Sequence, residues 1–188
     1  MKIKIKDKDS QEVFNWPGGI TRQFEIYPED ALGSTHYDFD FEITSSTMSD
    51  MESEYTIYND YNRLLMIKEG STLIKQNNKT FEMKQYDQIL FDGSTQTFSK
   101  GSATDYEIIF KKDKICHLNV LKIEESYHFE INKGYFGIYC EQGFVTVEVR
   151  NQKYLLNNGD QFSIYLDENE YEQIKMIGKG ILFTLEIV

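Results

Sequence analysis

Apolar and polar residues alternate along most of this chain with the period of two that marks strands. Val145, Val147 and Val149 point one way, while Phe144, Thr146 and Glu148 point the other. Phe39, Phe41 and Ile43 likewise oppose Asp38, Asp40 and Glu42, with the acidic positions on the opposite side of the strand. Lys2 to Lys6 reads as a half-exposed opening strand, and Ile181, Phe183, Leu185 and Ile187 as an alternating final one. Glycine and asparagine punctuate these runs at short intervals, as turns in an all-β chain do.

One stretch comes twice. Placing Gly70 over Gly143 (143 − 70 = 73) puts Asn78 on Asn151, Asp87 on Asp160 and Gln88 on Gln161. Phe81 then falls on Tyr154 and Met83 on Leu156, without a gap. Each copy reads as strand, Gly turn, alternating strand, Asn turn, short strand and an Asp-led strand, which implies two copies of one structural unit. The expected division is 1–112 and 113–188, with Lys111 to Lys114 as the crossover and no flexible linker between lobes.

Composition narrows the class. Thirteen Tyr and thirteen Phe in 188 residues favour strands and supply a substantial core. No apolar run approaches the roughly 20 residues of a membrane span, and the Lys/Ile opening has no secretory apolar segment, so no membrane partner and a cytoplasmic location are expected. A net charge of −11 argues against nucleic acid, which needs concentrated Lys and Arg; the spread of acid reads as a solubilising surface. The two cysteines, Cys116 and Cys140, are too few for a disulfide framework and read as buried thiols.

The order of elements in each copy resembles the second half of a cupin barrel. In metal-binding cupins the position seven before the turn glycine usually carries a ligand glutamate, and a histidine stands three after the later glycine. Here Arg63 and Phe136 hold the first position; Leu90, by repeat alignment, and Phe162 hold the second. Both copies therefore look like cupin barrels without their metal: an all-β bicupin, with two cupin-like β-barrel lobes packed in one compact unit.

A more specific resemblance runs through about residues 13 to 112. Trp16, Gly18-Gly19, Thr21, the Tyr27-Pro28 stop, the strand Phe39 to Thr44, Tyr61-Asn62-Arg63, Glu69-Gly70 and Phe91-Asp92-Gly93 occur in the order seen in the HutD/Ves family, with Thr104 to Glu107 at a later family element. The resemblance implies a bicupin linked to histidine utilisation or stress responses, with a small carboxylate such as a histidine-breakdown intermediate as ligand. Two departures stand out: a shorter glycine segment, and Glu42 where the family strand carries Arg.

The candidate chemistry centres on Arg63. In a cupin barrel its guanidinium projects inward and needs a partner, because an unpaired buried charge is costly. Internal carboxylates (Asp92 and Asp105 are the candidates) or the carboxylate of a ligand can supply one. Trp16, the only tryptophan, is either a plug at a barrel mouth or the aromatic wall of a pocket, and Thr21 is a hydroxyl donor. The paired glycines beside Trp16 allow positive φ or close backbone approach. His36, His117 and His128 are scattered without ligand spacing, so no metal or other cofactor is expected.

Three functional readings remain. The leading one is a regulatory, non-catalytic bicupin that binds a small carboxylate metabolite at Arg63, Trp16 and Thr21, with Asp92 and Asp105 nearby. The others are a metal-independent isomerase or lyase working through pocket carboxylates and tyrosines, and a structural or oligomerising module. A homodimer is compatible with all three.

Overall fold

A computed structural model describes residues 1–31, 38–49 and 51–188; His36 and residues 32–35 of the expected loop lie outside the described residues. The chain divides into two compact units, one comprising Glu12–Asp113 and the other Met1–Gln11 with Lys114–Val188. The N-terminal strand therefore belongs with the C-terminal unit, whereas 1–112 and 113–188 were expected from sequence.

The chain opens on β1 (Lys2–Lys6). The N-terminal unit follows with β2 (Glu12–Trp16), β3 (Gly19–Tyr27), β4 (Phe41–Met48), β5 (Glu52–Glu54) and the long β6 (Tyr61–Gln76). It is completed by β7 (Lys79–Lys84), β8 (Gln88–Asp92), β9 (Thr97–Lys100) and β10 (Ala103–Lys111). The C-terminal unit contributes β11 (Cys116–Ile123), β12 (Ser126–Ile131), β13 (Gly134–Val149), β14 (Gln152–Asn157), β15 (Gln161–Leu166) and β16 (Glu172–Ile187). The N-terminal sheet runs β2-β3-β4-β10-β6-β9-β5, with β7 and β8 also on β6. The C-terminal sheet runs β1-β15-β13-β16-β11, with β12 on β16 and β14 on β13. Among the described residues no helix is long and apolar enough to cross a membrane.

The repeat holds at the level of single backbone groups. β6 and β13 are the same length, 73 positions apart, and each bends at its glycine, Gly70 (φ 79°) and Gly143 (φ 91°). A Cβ at either glycine would strike the carbonyl oxygen of the facing strand, Ser102 or Lys179. Just before the bend each strand carries a bulge: Lys68 is the extra residue opposite Thr104/Asp105, and Glu141 is its counterpart. The hairpins that follow both place two residues at positive φ, Asn77-Asn78 and Arg150-Asn151, as a type I′ turn requires. The paired aspartates explain themselves. Asp87 accepts the backbone N–H of Lys84, and Asp160 that of Asn157, each closing the turn before the next strand.

Where the copies differ, packing gives the reason. The turn residue at positive φ is Tyr86 in the first copy and Gly159 in the second. A Cβ at Gly159 would press on Lys8, whose N–H donates to Asp160 Oδ1 while Gln11 Nε2 donates to the Gly159 carbonyl. Those two contacts, with β1 pairing on β15, bind the N-terminal segment to the C-terminal unit. The counterpart of Phe162 is Ile89 rather than Leu90: Ile89 faces Leu65 and packs on the core, whereas Leu90 is 63 % exposed.

The two interiors are filled differently. In the C-terminal unit Phe136, Ile138, Val145, Phe162, Ile164, Met176 and Leu182 form one continuous apolar core. Phe136, at the Arg63-equivalent position, packs within it against Phe129, the ring centroids 5.3 Å apart and the rings tilted. In the N-terminal unit Leu65, Ile67, Ile74, Met83 and Phe91 form a smaller apolar cluster, with Trp16 and Tyr55 at its margin. A second apolar cluster comprises Ile26, Phe39, Tyr61 and Ile109, and the interior around Arg63 is polar.

Candidate functional site

The polar interior is built by the period of two. On β4 the positions Glu42, Thr44, Ser46 and Met48 share one face; on β10 Asp105, Glu107 and Ile109 do. Ile109 pairs with Glu42 on one side and Arg63 on the other, so Arg63, Ile109 and Glu42 form a single row across β6, β10 and β4. Glu107 and Asp105 occupy the next rows. Together these residues line a cavity of ≈ 430 Å³, whose other walls are Phe14, Trp16, Thr21, Tyr55, Thr56 and Tyr58.

Arg63 is almost fully buried, 3 % exposed. Its Nη1 donates to Glu107 Oε1 at 2.5 Å and its Nη2 to the Thr56 carbonyl at 2.7 Å. Its guanidinium lies 5.3 Å from the Tyr55 ring centroid and 5.0 Å from that of Tyr58, within cation–π range. Burial alone would lower its pKa, but the charge and hydrogen bond of Glu107 outweigh this and hold it protonated. Two of its five N–H donors are thus taken by described residues, and the buried Nε–H has no acceptor.

The carboxyl groups around it are also half-committed. Asp105 Oδ1 accepts the Ser46 N–H at 2.6 Å, and Glu42 Oε1 accepts from Gln23 Nε2 at 2.6 Å. Desolvation, reinforced by the neighbouring Glu107, pushes the Asp105 carboxyl well above the ordinary range. Glu42 is raised for the same leading reason, against the opposing Gln23 hydrogen bond. Tyr55 is raised strongly by burial.

Trp16 is held at the wall by its hairpin. Its Nε1 donates to Thr21 Oγ1 at 3.0 Å, and Thr21 Oγ1 in turn shares a hydrogen bond with Ser46 Oγ at 2.9 Å. The adjacent glycines act through close approach rather than positive φ. A Cβ on Gly18 would lie 1.8 Å from the indole ring, and one on Gly19 would lie 2.0 Å from the Thr47 carbonyl oxygen on β4.

Of the residues expected from sequence, the structure brings Arg63, Trp16, Thr21 and Asp105 to one cavity. Asp92 is not among them. It pairs with Asn62, one residue out of phase with Arg63, and its carboxylate bonds Lys112 at 2.7 Å and Ser94. The hydrogen bond from Lys112 holds that carboxyl below its usual range. The partner of Arg63 is Glu107, which neither expected pairing included. Tyr55 and Tyr58 were also missed, although two aromatics shortly before a buried-strand arginine are a readable cation–π signal. His117 and His128 are exposed on β11 and β12. Among the described residues no group of three or more His, Cys, Asp or Glu could hold a metal ion.

A family model described as HutD matches residues 8–183. Among solved structures, a conserved protein of unknown function from Pseudomonas aeruginosa PAO1 superposes with a TM-score of 0.87 at 12% identity, covering 100% of this chain and 99% of that one. HutD from Pseudomonas fluorescens SBW25, in a formate condition, gives 0.78 at 13% identity, covering 100% and 98%. The pirin YhhW from Escherichia coli, in complex with nickel(II), gives 0.70 at 9% identity, covering 98% of each chain. No relative is found among functionally curated proteins.

Proposed function

The chain belongs to the HutD family of bicupins, and from that premise we propose that it binds a small carboxylate metabolite in the cavity of its N-terminal barrel, in a regulatory rather than catalytic role within histidine utilisation. The observation that carries this is Arg63 at the cavity wall, with N–H donors that Glu107 and Thr56 do not use. A closed internal ion pair would saturate the fork. Here the pairing fixes the guanidinium, and Tyr55 and Tyr58 hold it within cation–π range at the cavity wall. A carboxylate reaching the remaining donors makes charge-assisted hydrogen bonds, which are the strong ones.

The test is a screen of carboxylate metabolites by thermal shift, followed by titration. Arg63→Met should weaken binding about ten- to a hundredfold, from a charge-assisted contact of about 1.5–3 kcal/mol. Arg63→Lys should rescue only partly, because the planar fork is lost. Phe136→Leu, in the other unit, should leave affinity unchanged. Binding should alter the fluorescence of Trp16, which no other tryptophan masks. Hits that bind Arg63→Met as tightly as wild type would refute the anchor.

A second reading, a metal-independent isomerase or lyase, is favoured by one feature. Asp105 and Glu42, whose burial favours the protonated form, stand beside Arg63 as an acid–base set. Incubating each hit with the protein and following it by NMR separates the two readings: recovery of unchanged ligand supports binding, turnover supports catalysis.

A further inference from the structure

Resting on the carboxylate-binding reading above, the geometry points to a ligand that is amphoteric: we infer that the N-terminal cavity takes an amino-acid-like zwitterion, its carboxylate at Arg63 and its ammonium group among Glu42 and Asp105. The cavity is lined by one guanidinium and four carboxyl side chains, those of Glu42, Glu54, Asp105 and Glu107. A purely anionic ligand meets a single cation in that lining, whereas an ammonium group meets several carboxyl oxygens as acceptors.

The hydrogen-bond inventory says the same in detail. Glu107 gives Oε1 to Arg63, Asp105 gives Oδ1 to the Ser46 N–H, and Glu42 gives Oε1 to Gln23. The buried Arg63 Nε–H has no acceptor among the described residues. The interior thus sets carboxyl acceptors on β4 and β10 opposite an unmatched donor on β6. An ammonium brings three N–H donors and a carboxylate brings acceptors only, so a zwitterion matches both ends where a dicarboxylate or a diamine matches one. Between the ends, Ile109 separates Arg63 from Glu42 in the cross-strand row, and Trp16 and Met48 offer apolar wall for a hydrocarbon side chain. The volume of ≈ 430 Å³ lies at the small end of ligand pockets, about 300–1,000 Å³.

Glu42 has the sharper role of the two acids. Asp105 is tied to the β4 backbone, whereas Glu42 bonds the side chain of Gln23, a partner with rotamer freedom that a backbone group lacks.

The experiment titrates the wild-type protein with the twenty L-amino acids and, for each one that binds, with its deaminated carboxylic acid: glutarate for L-glutamate, 3-phenylpropanoate for L-phenylalanine. The expected result is at least one amino acid bound tenfold or more tighter than its deaminated partner. Glu42→Gln should remove that preference, weakening the amino acid about tenfold and leaving the deaminated acid unchanged. Arg63→Lys should weaken both. If deaminated acids bind as well as or better than their amino acids, the zwitterion is wrong while carboxylate binding at Arg63 stands. If no acid of either kind binds, or if binding ignores Arg63→Lys, the carboxylate site fails and this inference falls with it. The paired comparison on wild-type protein decides even if Glu42→Gln does not fold.

Discussion

Removing the Glu107 carboxylate should cost more than removing the arginine it holds. Both side chains are almost inaccessible, at 4% and 8% exposure, so solvent screens their interaction little. Glu107→Leu leaves a guanidinium that cannot lose its proton and must stay charged inside the barrel. Breaking a buried pair in this way costs about 3–5 kcal/mol. Asp105 and Glu42 lie close enough to feel the Arg63 charge, and ionisation of either would offset part of that loss, so about 3 kcal/mol is expected. For a chain of this size that is a fall in Tm of about 6–12 °C. Arg63→Met instead strands a carboxyl group, which can neutralise itself by taking a proton, so its cost should be smaller and should shrink toward acid pH. The double variant Arg63→Met/Glu107→Leu replaces both charges with apolar groups. It should melt above Glu107→Leu alone, limited by the orphaned Thr56 carbonyl and the lost tyrosine contacts, about 1–2 kcal/mol together. Urea unfolding of the four proteins gives the coupling energy directly, expected at about 3 kcal/mol or slightly more. A Glu107→Leu variant within 1 kcal/mol of wild type, or singles that simply add, would show that the pair is not the buried, mutually dependent unit described.

Three further expectations concern other parts of the molecule. Asp105 has a raised folded-state pKa, so the native state binds the proton more tightly; its contribution is fully present below the ordinary value of 3.8 and is lost as pH rises through the raised one. Stability should therefore decline as pH rises through the raised value, and Asp105→Asn should flatten the decline without abolishing it, since Glu42 acts in the same direction; an unchanged slope of denaturation stability against pH would exclude the assignment. Gly18→Ala should displace the indole from the cavity wall, shifting Trp16 emission and weakening ligand binding at least tenfold, because the new Cβ has no space beside the ring; unchanged emission would place the ring elsewhere. Burial pushes the Cys116 thiol up to about 12 and the Cys140 thiol up to about 11, so iodoacetamide at pH 8 should label neither in the native protein and both after unfolding.

The repeat was legible because it is carried by residues with strict backbone duties. Gly70 and Gly143 bend their strands, Asn78 and Asn151 sit at positive φ, and Asp87 and Asp160 close equivalent turns, so their spacing survives the exchange of every hydrophobe between them. The inward direction of Arg63 followed from the same frame. The rest was hidden by physical ambiguity. Glu42, Thr44 and Ser46 give the same alternating polar face whether they look into water or into a polar cavity, and they look into a cavity. The partner of Arg63 was missed because strand parity, not proximity in the motif, decides it. Asp92 is one residue out of phase, Asp105 is two rows away, and Glu107 is the diagonal neighbour that a long side chain reaches. The return of β1 to the C-terminal unit rests on Lys8 and Gln11 meeting Gly159 and Asp160, side-chain and backbone contacts with no sequence signature.

Comparison of the two copies bears on why the first interior is polar at all. The second copy shows that this frame closes on an apolar core, with Phe136 where the first has Arg63 and Phe162 where the first has Ile89. Apolar groups of similar volume would serve stability at least as well as a buried ion pair, which barely offsets its own desolvation. The first copy keeps a guanidinium with an unused buried donor, the buried carboxyl groups of Asp105 and Glu107, and a cavity of ≈ 430 Å³ that they line. Each of those features costs stability on its own, and a stabilising role for the pair accounts for none of the three together. A ligand that supplies the missing partners accounts for all of them at once, and it does so in the copy whose hairpin holds Trp16 against the opening with two glycines that leave the ring its space.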